Sequence, residues 1–398
     1  MLKRIDLSNS LLLASVFLTF FGQKIALLFM SFLGLLSLSS YVTIGIRILV
    51  GSILLSMFFI QTKKRVLNKE SILFLWFCAS MGISIFFDIT NNNYDSYYLS
   101  EIEVVGYFVL FCLIPFFVIL NSCFSLNVFN SLIKQFLLSG FIFSSLAIIT
   151  YRNFIGEVGR LSKSVGDGNI LSPLILSYGS ALIIVIGVAY LSFNKVSSRF
   201  KIFIIFTITI STIPFFLGSS RGGLLAIFIS LLSVILFGSG SSRKIKLITV
   251  FGIMISFAFY IMNTIQSNLL LRVEKIQDIQ DDDARLLRYF ESYQIIRENP
   301  LLGNGLVLES FDNYPHNIIL EVLQATGLVG LLPFTILILK GFKATRNIFL
   351  KKPKYAWIAI IFIQTFVSNM LSGSVITASW FWFSLALVIV FDKRLNIA

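Results

Sequence analysis

Histidine is almost absent from this chain: His316 is the only one among 398 residues. A chain with one imidazole has one side chain whose ordinary pKa lies near neutrality, so proton transfer at pH 7 has one obvious candidate. No grouping of residues with metal-ligand spacing is visible, so neither metal nor cofactor is expected. Charge is scarce as well. Charged residues make up 13% of the chain and hydrophobic residues 57%, and Phe alone occurs 42 times. No soluble domain needs that much apolar surface, and the reading is an all-α integral membrane protein. Only three cysteines occur, Cys78, Cys112 and Cys123, all in or beside apolar runs, so no disulfide is expected. Internal repeats and low-complexity tracts are lacking too.

The formal charge of +13 could suggest a nucleic-acid partner. The placement of the basic residues argues otherwise. They cluster between apolar runs: Lys3/Arg4, Lys63–Arg65 with Lys69, Lys195/Arg199/Lys201, Arg243/Lys244/Lys246, Lys340 to Lys354, and Lys393/Arg394. That is the positive-inside pattern of a multi-pass membrane protein. Apolar runs long enough to cross a bilayer fall near 10–36, 42–61, 71–89, 103–121, 132–151, 172–193, 201–217, 222–238, 247–264, 317–339, 355–372 and 374–391. The first run is longer than a signal-peptide core and is read as an uncleaved helix. This layout gives about twelve transmembrane helices in one polytopic domain, 1–398, with both termini cytoplasmic. Its inner segments hold 21 of the 32 Lys and Arg, against three acids, Asp6, Glu70 and Asp392.

Polar residues collect in two outer segments, a smaller one at 152–171 and a large, partly helical one at 265–316, between the ninth and tenth helices. Lys24 and Arg47 lie inside expected spans, and an intramembrane charge is a functional candidate by default. Arg47 sits near the outer end of its helix. In the large loop, Asp281–Asp283 precede a stretch in which Leu286, Phe290 and Tyr293 recur at helical spacing. Arg285 and Arg288 are three apart and share a face of that helix, where two guanidinium forks suit a phosphate-bearing lipid headgroup. Bland roles compete: the arginines could snorkel from an interfacial helix, and His316 could be a solvated loop residue. Pro300-Leu301-Leu302-Gly303-Asn304-Gly305 then breaks the helix. Pro315-His316-Asn317 follows, placing His316 at the outer mouth of the next helix. Gly327, three turns on, is expected on the same helix face as His316, with Gly327 and Gly330 serving helix packing. The turn Gly218-Ser219-Ser220-Arg221-Gly222-Gly223 joins two spans so tightly that it reads as an outer hairpin, its glycines open to a phosphate ligand.

These elements together resemble the O-antigen polymerase and ligase superfamily of envelope glycosyltransferases. The matching stretches are Ser219–Gly223, Arg285 followed by Tyr289 and Pro300–Gly305, and Pro315–Asn317 with Gly327–Gly330. Tyr289 stands where members often carry Trp. The resemblance implies a GT-C-like fold in the bacterial inner membrane with a periplasmic active site. It implies a donor glycan on undecaprenyl diphosphate and a metal-independent, inverting transfer. The acceptor would be another lipid-linked repeat unit (a polymerase) or lipid A core (a ligase). His316 would act as general base. Arg221, Arg285 and Arg288, with Asn317 and Arg47, would bind diphosphate or substrate. A chain-length regulator or flippase is an expected partner. The rival from another class is a lipid-linked oligosaccharide flippase or transporter.

Overall fold

The computed structural model describes residues 2–60, 68–91, 99–154, 171–237, 252, 279–308, 310–311 and 313–395. Among them the secondary structure is helical, apart from one isolated bridge, Leu308 to Asn313. Among the described residues nine helices are long and apolar enough to cross a membrane: Asp6–Phe32, Leu36–Ile60, Lys69–Thr90, Glu101–Leu120, Leu126–Thr150, Pro173–Phe193, Ser198–Leu217, Ile318–Lys351 and Pro353–Ser372. Two more apolar helices, Arg221–Phe237 and Ser379–Leu395, have 17 residues each. Each of these eleven overlaps one of the expected spans. The expected span at 247–264 (apart from residue 252), most of the outer segment at 152–171, and residues 265–278, 309 and 312 of the larger one lie outside the described residues. The protein is thus an all-α membrane protein with several spans.

We number the α-helices in chain order. They are α1 (Leu2–Phe17), α2 (Gln23–Phe32), α3 (Ser39–Ile60), α4 (Lys69–Thr90), α5 (Glu101–Tyr107), α6 (Ile114–Leu120) and α7 (Leu126–Thr150). Then come α8 (Pro173–Phe193), α9 (Ser198–Leu217), α10 (Arg221–Phe237), α11 (Ile279–Glu298), α12 (Ile318–Lys351), α13 (Ala356–Ser372) and α14 (Ser379–Leu395). A π turn, Leu18–Gly22, joins α1 to α2, and another, Phe108–Leu113, joins α5 to α6. Caps punctuate the apolar runs. Asn68 accepts from the Ser71 N–H, Ser172 from Ile175, and Ser100 forms a capping box with Glu103.

The chain divides into two compact units. The first comprises residues 1–53, 124–275 and 345–367. Here α8 packs on α9 and α10, and α7 packs on α1, α2 and α9. Phe20 and Phe21 meet Phe136 at 5.1 and 5.9 Å between ring centres. Glycine sets the closest approaches: a methyl at Gly140 would run into Ile183, and one at Gly187 into Ile208. The Lys24 ammonium donates to the Thr19 carbonyl at 2.8 Å, beside the π turn.

The second unit comprises residues 54–123, 276–344 and 368–398. Its core is aromatic. Trp382 lies 5.4–5.8 Å from Phe74, Phe77, Phe116 and Phe334, and its indole N–H donates to the Val375 carbonyl. At one end Glu70 accepts from both Lys340 and Lys393 at 2.7 Å. The span layout put these three residues on one membrane face, and they form one cluster. Residue 340 lies 22 positions along α12 from residue 318, roughly 33 Å of helix. The Glu70 cluster and His316 therefore sit toward opposite ends of α12.

Candidate active site in the second unit

Four segments of the second unit build the site: α11, the turn after it, the strap 304–317 and the first turns of α12. Gln324 is the joint between them. Fully buried, its amide oxygen accepts from the Ser292 hydroxyl of α11 at 2.7 Å. Its amide nitrogen reaches the carbonyls of Gly305 and Val307 at 3.2 and 3.4 Å, and its own carbonyl accepts from the Asn304 N–H. A buried amide with both ends occupied fixes its neighbours at little desolvation cost. Asp88, near the end of α4, adds a second tie: its carboxylate accepts from the Leu306 N–H at 2.8 Å. Gly305 has a φ of 103°, and a Cβ there would strike that carboxylate, so only glycine fits.

The next contact corrects the expectation for Gly327. It does not continue a helical face: its backbone, at φ 56° and ψ −157°, breaks α12. The N–H groups of Leu328 and Val329, freed by the break, donate to the carbonyls of Pro300 and Leu301 at 2.9 and 3.1 Å. A side chain at Gly327 would run into the Leu301 carbonyl. Gly303, at φ 76°, abuts the backbone of Gln324 to Thr326 in the same way. The Pro300–Gly305 turn and the Gly327 break are therefore two halves of one main-chain joint. The distance in sequence between the motifs reflects that pairing, and Gly327 does not share a face with His316. Gly330 does serve close packing, against Thr326 and Ser80.

His316 stands just ahead of α12. The helix starts at Ile318 with Asn317 as N-cap, so Pro315 and His316 precede its first turn. The Asn317 side-chain oxygen accepts from the N–H groups of Ile319 and Leu320 at 3.1 Å each. Its oxygen is thus committed to the cap, and only its amide nitrogen is left to meet a ligand. His316 takes a left-handed backbone, φ 59°, uncommon outside glycine. Strain of that kind clusters at functional positions. Its ring stacks edge-on against Tyr314 at 4.4 Å. Among the described residues its buried Nδ1 has no hydrogen-bond partner, and neither has the buried Nε of Arg288.

Leu308 pairs with Asn313 within the strap, and two further contacts hold it over α11: the Ser310 N–H donates to Glu291, and the Arg288 guanidinium lies 5.2 Å above the Phe311 ring. Arg288 and Arg285 share the face of α11 that carries buried Ser292. Both are close enough for His316 to feel their charge. Burial first, then Arg288, then Arg285, lower the His316 pKa from its ordinary value to about 4. The imidazole is therefore neutral at pH 7, with an unpartnered nitrogen beside two cations. Burial and nearby Glu321 push the Tyr314 hydroxyl well above its ordinary value, so it stays a neutral donor.

The structure brings together His316, Arg285, Arg288 and Asn317. Arg221 and Arg47 belong to the first unit. Arg221 opens α10, and Ser220 caps that helix by accepting from the Gly223 N–H at 3.2 Å. Gly218 and Gly223 of this turn are not open to a ligand: side chains there would strike Ser177 of α8. Arg47 lies within electrostatic reach of Lys24. Glu309 and Asp312, close to His316 in sequence, lie outside the described residues. The sequence reading missed Gln324, Ser292, Asp88 and Glu321. Buried Glu321 accepts from the Ser374 hydroxyl and the Val375 N–H at 2.6 and 2.7 Å, tying the mouth of α12 to the α13–α14 turn. The rule that flagged Lys24 and Arg47 would have found both acids, because each lies inside an expected apolar span.

A membrane-embedded helical scaffold thus gathers two arginines and one neutral imidazole at a helix mouth. Residues 206–335 match the family model described as O-Antigen ligase. The match takes in Arg221, α11, the main-chain joint and His316. No curated protein sequence matches the chain.

Proposed function

We propose that the protein is a glycan polymerase of the bacterial inner membrane. It transfers a glycan from undecaprenyl diphosphate to a hydroxyl of another lipid-linked repeat unit, at the periplasmic face and with both termini cytoplasmic. The observation that carries this reading is the neutral His316 imidazole within the field of Arg288 and Arg285, its buried Nδ1 without a hydrogen-bond partner among the described residues. In one displacement the acceptor oxygen attacks the anomeric carbon and its proton passes to His316. The bond to the diphosphate oxygen breaks and the anomeric configuration inverts. The leaving diphosphate carries the new negative charge. Arg285 and Arg288 stabilise it, doing with guanidinium forks what a divalent cation does elsewhere. The Asn317 amide nitrogen is a further donor, and Arg221 and Arg47 stay substrate-binding candidates on the strength of the sequence.

A second reading is an O-antigen ligase, which passes the glycan to lipid A core. It is favoured by the description of the matching family model. A gel of envelope polysaccharide from a deletion strain separates the readings. Loss of a polymerase leaves core capped with one repeat unit. Loss of a ligase leaves bare core while lipid-linked polymer accumulates. Loss of a flippase leaves neither polymer nor capped core, which would overturn both transferase readings.

A further inference from the structure

α11 has a second face that the transfer chemistry does not use. Leu286, Phe290 and Tyr293 recur at helical spacing and are each about 60% exposed. They point away from the face bearing Arg285, Arg288 and Ser292. Leu301 and Leu302, in the turn after α11, are 62% and 73% exposed. Such a run of bare leucine and aromatic side chains on a polar loop needs an occupant. The main-chain joint shows what it is. Leu301 is bonded through its carbonyl to Val329, and Leu328, Val329 and Leu332 are exposed on α12, a membrane-crossing helix. The apolar surface of the loop is therefore continuous with the exposed apolar flank of a span.

We propose that α11 is an interfacial helix whose Leu286–Phe290–Tyr293 stripe, with Leu301 and Leu302, is inserted among lipid acyl chains of the leaflet above α12. A helix lying in that plane buries one face to the depth of the headgroup boundary and keeps its polar face level with the phosphates. Arg297, near the C-terminal end of the stripe, has a stem long enough to snorkel upward. Under the transferase reading, Arg285 and Arg288 then stand at the height of a lipid-linked diphosphate, but the insertion does not depend on that reading.

Nitroxide scanning tests it without any activity assay. Single cysteines at 286, 287, 290, 293, 294 and 298 are labelled in full-length protein with Cys123 replaced by Ser, reconstituted in phospholipid nanodiscs. Cys78 and Cys112 are buried. Collision with oxygen and with a water-soluble nickel chelate is then measured. Insertion predicts oxygen access peaking at 286, 290 and 293, with nickel access several-fold lower there than at 294 and 298. High nickel access at 286, 290 and 293 would put the stripe in water and overturn the proposal. Low access to both reagents would mean that protein covers it, a second copy or another part of the chain, and would overturn it equally. Absence of transfer by the unlabelled parent protein, with the insertion pattern intact, would reject the transferase reading alone.

Discussion

The acid limb of the activity profile is the sharpest consequence of the site. Under the general-base assignment, transfer needs neutral His316, so activity is present above its pKa and is lost as pH falls through it. With the pKa lowered to about 4, about 97% of His316 would be neutral at pH 5.5, against about 9% for an ordinary histidine near 6.5. A free enzyme built this way therefore keeps nearly full kcat/KM at pH 5.5, where an unperturbed base would have lost about tenfold. Arg288→Gln removes the larger of the two charge effects on His316, so the limb of kcat/KM should move up in pH. The limb of kcat reports the substrate complex. A bound diphosphate neutralises the arginines, so this limb should lie above that of kcat/KM in the parent enzyme and shift less in the variant. The assay is transfer by purified protein in nanodiscs with a synthetic lipid-linked donor, from pH 4 to 8. His316→Ala, with expression matched, should lose about 10²–10⁴-fold and show no such limb. An acid limb near 6.5 in the parent, or one that ignores Arg288→Gln or survives in His316→Ala, would refute the assignment.

Other outcomes follow from the same geometry. Arg285→Lys keeps charge but loses the two-pronged fork, so transfer should fall well below that of Arg297→Lys, and equal tolerance of the two changes would remove the clamp. Gly327→Ala should cost about 1–3 kcal/mol, because its backbone suits glycine alone and Leu301 blocks a side chain; a lowered thermal midpoint in detergent is the readout, and an unchanged one would count against the joint. Cysteine at Ser310 should react with an impermeant thiol reagent in spheroplasts and cysteine at Asn347 should not, and the reverse labelling would invert the layout. Transfer should persist in EDTA if guanidinium groups carry the leaving charge; abolition restored by a divalent cation would show that they do not.

Much of the scaffold was legible because lipid demands long apolar runs, and the runs mark their own ends with caps such as Asn68, Ser172 and Asn317. The helical spacing of Arg285 and Arg288 and the solitary His316 likewise pointed to residues that share one corner of the second unit. The break at Gly327 was hidden, since apolar periodicity continues on both sides of it and a glycine in a span reads as a packing residue. Only the partner turn at Pro300–Gly305, some 25 positions away, explains its backbone. Gln324 and Ser292 were equally silent, because a buried hydrogen-bond joint leaves no periodic trace. Where Arg47 and Arg221 stand relative to His316 was never a property of local pattern.

The joint between the Pro300–Gly305 turn and the Gly327 break is made by main-chain groups at residues 300, 301, 328 and 329. Such a fastening is indifferent to the side chains it carries. Leu301 and Leu302 can drift among apolar types without loosening it, and the strap can change its side chains while its tie to α12 stays put. The glycines are the fixed vocabulary here and the rest is free text. Under the transferase reading, a chain of this design could take a new glycan by rewriting the strap, leaving the joint to α12 untouched.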